Sequence, residues 1–137
     1  MAGYSPTPLA KKLGIKPGTS LALDQAPPGW AVPDLPDDVV AAAEGEPADV
    51  IVAFFRESAE LPDRLPGLAR RIFPAGGLWL AWPRRAGGHD SDITENGLRD
   101  LALPLGVGDN KVAAIDEDWS GLRVVWRVEH RSGPLPL

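Results

Sequence analysis

The stretch Gly76-Gly77-Leu78-Trp79-Leu80-Ala81-Trp82-Pro83-Arg84-Arg85 limits the possible folds more than any other. It is a glycine turn, an apolar run too brief for a helix, and then an abrupt aromatic, proline and basic stop. That pattern describes a buried strand delivering its carboxyl end to the surface. Val50-Ile51-Val52-Ala53-Phe54-Phe55 is a second such run, introduced by Pro47 and Asp49 and without polar alternation. A strand apolar on both faces belongs to a sheet covered on both sides, as parallel sheets are.

The neighbouring segments supply the rest of such a sheet. Thr7-Pro8 followed by Leu9 to Leu13 and Gly14 predicts a two-turn helix, with Thr7 as its cap and Gly14 just past its end. Thr19 to Leu23 predicts a first strand ending at Asp24. Pro27-Pro28 then forces an extended exit toward Trp30. Val39 to Ala43 is read as a short second strand, although its alanines suit a helix equally well. From Ser58, Leu61, Leu65, Leu68, Ala69, Ile72 and Phe73 recur at spacings of 4, 3, 1, 3 and 1, the stripe of an amphipathic helix that Pro66 should bend or delay. Asp92 and Glu95 have capping-box spacing ahead of a helix through Leu98 and Leu101 to Pro104. Gly106 to Asn110 reads as a turn, Lys111 to Asp116 as a strand, Glu117 to Gly121 as a tight connection, and Leu122 to Val128 as a last strand with Arg123 and Arg127 on one face. Residues 131–137, with Pro134 and Pro136, read as a loose tail.

The expected fold is a single α/β domain over 1–137: three layers, Rossmann-like, with a mostly parallel sheet and a C-terminal antiparallel hairpin. Ligands in such sheets sit at the carboxyl ends of the strands. That rule gathers Asp24 to Trp30, Arg56, Trp82 to Arg85 and Asp116 to Trp119 on one rim, and leaves Lys111 at the other.

Composition removes several chemistries. The chain has no cysteine, which excludes disulfides, thiolate metal sites and cysteine nucleophiles and fits a reducing cytoplasm. Nineteen acidic residues against fourteen basic give a net charge of -5, unfavourable for nucleic-acid binding. No apolar segment suits a signal peptide or a membrane span. The expectation is a cytoplasmic protein, monomeric or a homodimer. Fifteen prolines and fifteen glycines lie between the apolar runs and act as loop punctuation.

Two resemblances follow from these residues. The element order resembles the second half of a Rossmann-type S-adenosylmethionine methyltransferase. Leu78 to Arg85, Asp92-Ile93-Thr94-Glu95, Asp109 to Val112 and Asp116 to Leu122 are similar to a group of short bacterial proteins, the domain of unknown function 3052 family. The likeness covers nearly the whole chain and implies a methyltransferase-like fold, with no activity attached to it.

The strand ends carry the candidate chemistry. A nucleotide-binding turn after the first strand needs glycines for close backbone approach and a helix N-terminus directly behind. Here Asp24-Gln25-Ala26-Pro27-Pro28-Gly29 offers one glycine and two prolines. If S-adenosylmethionine binds, Asp24, Gly29 and Glu44 (or Glu46) are the residues near it. Arg84 and Arg85 suit a phosphate or carboxylate, unless Asp90, Asp92 and Glu95 neutralise them. His89 reads as a solvated loop residue, Ser120 as a turn hydroxyl, and Asp116 to Asp118 as a hairpin tip and not a metal site. Trp30, Trp82 and Trp119 lie on the rim, where aromatics either bind or cap the core, while Trp79 and Trp126 belong to strands.

The leading expectation is a non-catalytic domain without cofactor, binding a small anionic ligand or a protein partner through Trp82, Arg84, Arg85, Asp92, Asp116 and Trp119. The alternatives are a small-molecule methyltransferase and self-association through the edge of the last strand.

Overall fold

The computed structural model describes residues 7–137; the reading that the N-terminus carries no leader lies partly on residues 1–6, outside that range. Six strands form one sheet: β1 Ser20–Asp24, β2 Val40–Ala41, β3 Val50–Phe54, β4 Gly77–Pro83, β5 Val107–Ala114 and β6 Trp119–Trp126. Their order is β2-β1-β3-β4-β6-β5. The first three pairings are parallel, and β6 runs antiparallel to both β4 and β5. The two apolar runs are adjacent at the centre, in register from Val50 opposite Gly77 to Phe54 opposite Ala81. Ile51, Val52, Ala53, Phe54 and Leu78 to Ala81 are all 0% exposed, which shows that both faces of these strands are covered.

The two faces are covered differently. One packs on α2 (Leu61–Arg71) and α3 (Glu95–Ala102), through Ile51, Phe55, Leu80, Leu122 and Trp126. Each fully buried Leu of α2 contributes about 1.5–3 kcal/mol. Leu61, Leu65 and Leu68 together therefore outweigh the roughly 3 kcal/mol that proline costs a helix interior, and α2 runs through Pro66 unbroken. A 3-10 turn at Ser58–Glu60 delays its start. The opposite face is covered by the five-residue α1 (Leu9–Leu13), which contributes Ala10 and Leu13, and by the long loop between β1 and β2, which contributes Val32 and the half-buried Trp30. No helix connects β1 to β2.

Several expectations are corrected. Pro8, not Thr7, precedes α1, with no side-chain cap, so the helix is shorter than expected; Gly14 closes it at φ 83, in the left-handed region open to glycine. The cap of α3 is Thr94, whose hydroxyl accepts from Gly97 N at 3.0 Å. Asp92 is thereby released for another partner. Residues 107–110 form the first half of β5 and not a turn, since β6 pairs with them up to a register shift between Asp109 and Lys111. Trp119 and Ser120 belong to β6, and Arg127 lies beyond its end, so Arg127 shares no strand face with Arg123. The last strand is internal; the sheet edges are β2 and the charged, bulged β5, and any edge pairing would use those. Among the described residues no helix is long and apolar enough to cross a membrane.

Candidate functional site

The chain leaves β1 for β2 on one side and returns to β3 on the other, which puts the topological switch at the carboxyl ends of β1 and β3. Side chains of the protein itself cover that point from both faces. On the helix side, Arg64 of α2 donates to the Phe54 carbonyl at 2.8 Å and to Glu60 at 3.0 Å, pairs with Asp24, and lies 4.0 Å over the Phe55 ring. On the loop side, Trp30 and Trp119 pack edge-on against Phe54, each with centroids 4.9 Å apart. The Trp30 indole N–H donates to Asp116 at 2.9 Å. Arg56 lies over the Trp119 ring and donates to the Gln25 carbonyl at 2.7 Å. Gln25 itself has φ 56, a conformation usually left to glycine. Gly29, at φ 76, serves the turn in which Trp30 N reaches the Pro27 carbonyl.

Arg64 joins α2 to two strand ends in a way that lysine cannot reproduce, because the planar fork serves several acceptors at once. We expect Arg64→Lys to cost about 2 kcal/mol in urea unfolding, with Arg64→Ala costing more.

The six rim residues named from sequence do not form one cluster: Trp82 packs on the helix side of the sheet and Trp119 on the loop side, and most of their polar groups are engaged within the chain. Trp82 is buried in the helix-side core. Arg84 is buried; its backbone N–H donates to the Asp118 carbonyl at 2.9 Å and its guanidinium to the Glu117 carbonyl at 3.4 Å. Arg85 is exposed and reaches the Ser91 carbonyl at 3.4 Å. Asp92 accepts from the Ser58 N–H at 2.8 Å and from its hydroxyl at 2.5 Å, so it caps the segment leading into α2 in place of its own helix. Glu95 goes to Arg99 instead of the arginine pair. Asp116 also accepts from the N–H groups of Asp118 and Trp119, closing the β5–β6 turn. His89 contacts Asp118 at 2.9 Å, a pairing with no signal in the sequence because 29 residues separate them.

The loop after β4 lies directly on the β5–β6 turn. A Cβ on Gly87 would fall onto the Glu117 carbonyl oxygen, which is backbone and cannot swing aside. Gly87→Ala is expected to cost about 1–3 kcal/mol, read by denaturant titration. Gly88→Ala, at a φ of 89 with open space around it, tests backbone strain without that collision.

Two carboxylates here are shifted. Burial pushes Glu60 up, but hydrogen bonds from the N–H groups of Glu57 and Arg56, with Arg64 and Arg56 nearby, outweigh it and hold Glu60 below its ordinary value. The Ser58 hydroxyl and N–H hold Asp92 down likewise. A depressed carboxylate contributes stability that is present above its unfolded value and lost as pH falls through the folded one. Stability should therefore hold at neutral pH and decline below about pH 4.5. In urea titrations across that range, Glu60→Gln and Asp92→Asn should flatten the decline. Among the described residues no group of three His, Asp or Glu is placed to hold a metal ion.

Beside the switch point, an open cleft of ≈ 490 Å³ lies between the ends of β1 and β2 and the exposed side of α2. Asp24 and Glu44, named from sequence for the cofactor alternative, both line it; Gly29 does not. Arg71 ties the loop after β2 to the helix, donating to the carbonyls of Glu46 at 2.7 Å and Ala43 at 3.1 Å. Gly67 leaves the wall open, since a Cβ there would meet nothing within 4 Å. Glu44 and Arg70 are exposed on this cleft. Sequence reading missed Arg70 because the polar side of an amphipathic helix looks the same whether it faces bulk water or a cleft.

The fold has a counterpart among solved structures. A structure of a LepI variant in complex with SAH and a substrate analogue superposes with a TM-score of 0.50 at 11% sequence identity, over 87% of this chain and 39% of that one. The chain thus spans well under half the length of that protein, and the likeness concerns the fold, a mixed α/β arrangement of Rossmann-like kind. No family model and no curated protein matches the chain, so the comparisons support a methyltransferase-like fold and give no support to the domain of unknown function 3052 family.

Proposed function

We propose that the chain is a methyltransferase-like domain that binds a small anionic molecule and transfers no methyl group. The observation that carries this reading is the cleft: ≈ 490 Å³ of open volume, within the range usual for small-ligand sites, with the Arg70 guanidinium and the Glu44 carboxylate both on its lining. Arg70 suits an anionic group, and Glu44 suits hydroxyl or ammonium donors on the same ligand. The rim residues beside it have partners inside the chain, which favours the cleft over the rim as the binding surface. Three features argue against methyl transfer. The turn after β1 has prolines where a cofactor loop needs glycines, no helix N-terminus follows it, and Asp24 is paired with Arg64.

A methyltransferase is the second reading. It is favoured by the presence of Asp24 and Glu44 on one cleft and by a fold neighbour solved with SAH. Titration calorimetry separates the two. S-adenosylmethionine at high micromolar concentration is expected to give no heat, while a panel of small carboxylates and phosphates should contain a compound whose thermal shift disappears in Arg70→Gln. Saturable heat from S-adenosylmethionine, abolished by Glu44→Gln, would replace the first reading with the second.

A further inference from the structure

At the end of the sheet opposite the strand-end rim, basic residues from four segments meet around Arg123. Lys11, Lys12 and Lys111 share with it a groove of ≈ 230 Å³, and Arg131 shares a second groove of ≈ 240 Å³. Arg123 and Asn110 belong to both grooves, and neither is lined by a carboxylate. This concentration of cations is notable in a chain whose net charge is -5.

Among the described residues, three of these cations donate to backbone carbonyls. The Lys12 ammonium donates to the Ala114 carbonyl at 2.9 Å, Lys111 to the Lys12 carbonyl at 3.2 Å, and Arg131 to the Trp126 carbonyl at 2.7 Å. Arg123 is half-buried against Gly77, where a Cβ would stand 2.5 Å from a guanidinium nitrogen, so the missing side chain of Gly77 makes its niche. Among the described residues Arg123 has no ion pair, and residues 1–6 contain no Asp or Glu. The register shift between Asp109 and Lys111 falls beside the groove, and such irregularities redirect side chains. Burial and the neighbouring Arg131 push the Arg123 guanidinium below its ordinary value, and burial with Lys111 does the same to Lys12.

A partly desolvated guanidinium among other cations is unfavourable unless an anion joins it. We propose that the groove around Arg123, Lys111 and Asn110 is a binding site for a phosphate-class anion. Arg123 supplies the planar fork, Lys111 a movable point charge, and Asn110 a neutral donor. The two adjoining grooves leave room for a second phosphoryl group, so a diphosphate should bind more tightly than a monophosphate.

The test is thermal unfolding in inorganic phosphate, pyrophosphate and chloride at matched ionic strength. Near-saturating phosphate should raise the melting temperature by about 4 °C over chloride, with a larger rise in pyrophosphate. Arg123→Gln should keep the wild-type circular dichroism and lose the phosphate-specific rise, and the exposed Lys111→Ala should lose most of it. Arg70→Gln should leave it intact, which separates this site from the cleft. Equal behaviour in phosphate and chloride overturns the proposal. So does a full phosphate response in Lys111→Ala, the variant that decides the matter should Arg123→Gln misfold.

Discussion

Replacing Trp79 with alanine is expected to destabilise the protein by about 3–5 kcal/mol, more than any other substitution proposed for this chain. Trp79 stands mid-sheet, opposite Val52 on one side and Arg123 on the other, and is fully buried. Its indole N–H donates to the Leu13 carbonyl at 3.1 Å, tying the end of α1 to the sheet. Its ring also fills the space over Gly121, where a Cβ would come within 2.9 Å of it. Alanine removes the volume and the donor together, leaving a cavity and a buried carbonyl without its partner. Trp79→Phe separates the two contributions: it keeps most of the volume and loses the hydrogen bond, at about 1–2 kcal/mol. Equilibrium unfolding in urea reads both. A loss below about 1 kcal/mol for Trp79→Ala would show that α1 and the loop, and not this ring, hold that face together.

The second large effect is expected at Trp30. Trp30→Ala removes one of the two rings packed on Phe54 and the indole donor to Asp116, the bond that pins the β1–β2 loop to the β5–β6 turn across 86 residues. Because Trp30 is only half-buried, the cost should be about 2–3 kcal/mol, below that of a fully enclosed tryptophan. The effect is also local: amide exchange over residues 26–35 should accelerate well beyond that of β3 and β4. The vacated space beside Phe54 and Trp119 should accept free indole, which would restore part of the lost stability. Unchanged exchange in the loop and no response to indole would mean that the loop is held by Val32 and its backbone, with Trp30 incidental.

These two tryptophans show where sequence was sufficient and where it was not. Trp79 sits in an apolar run whose length and composition fit only a buried strand, and the structure places it at the centre of the sheet. Val50 to Phe54 was legible for the same reason, as was the stripe of α2, because period and burial are properties of neighbouring residues. Trp30 had two readings, binding surface or core cap, since nothing local reveals that it meets Phe54 and Asp116. Asp92 had the spacing of a capping box and lost that position to Thr94, two residues on; its partner, Ser58, lies 34 residues away. Residues 107–110 carried glycines and polar residues that read as a turn, and became strand because β6 offered them hydrogen bonds.

The cleft and the basic groove depend still more on tertiary structure. Glu44, in the loop after β2, and Arg70, on α2, line one cleft only because β2 pairs with β1 while α2 packs across the sheet. Lys111 and Arg123 pair across the β5–β6 hairpin, but Lys12 is 99 residues from Lys111 and joins their groove only because α1 packs on the sheet. By itself the sequence determined the two central apolar strands, the stripe of α2 and which rim carries the strand ends, since these follow from local periodicity and the backbone's need for hydrogen bonds. The tertiary structure alone decided which charges are compensated and which tryptophan closes the switch point, because burial and pairing depend on distances between residues remote in sequence.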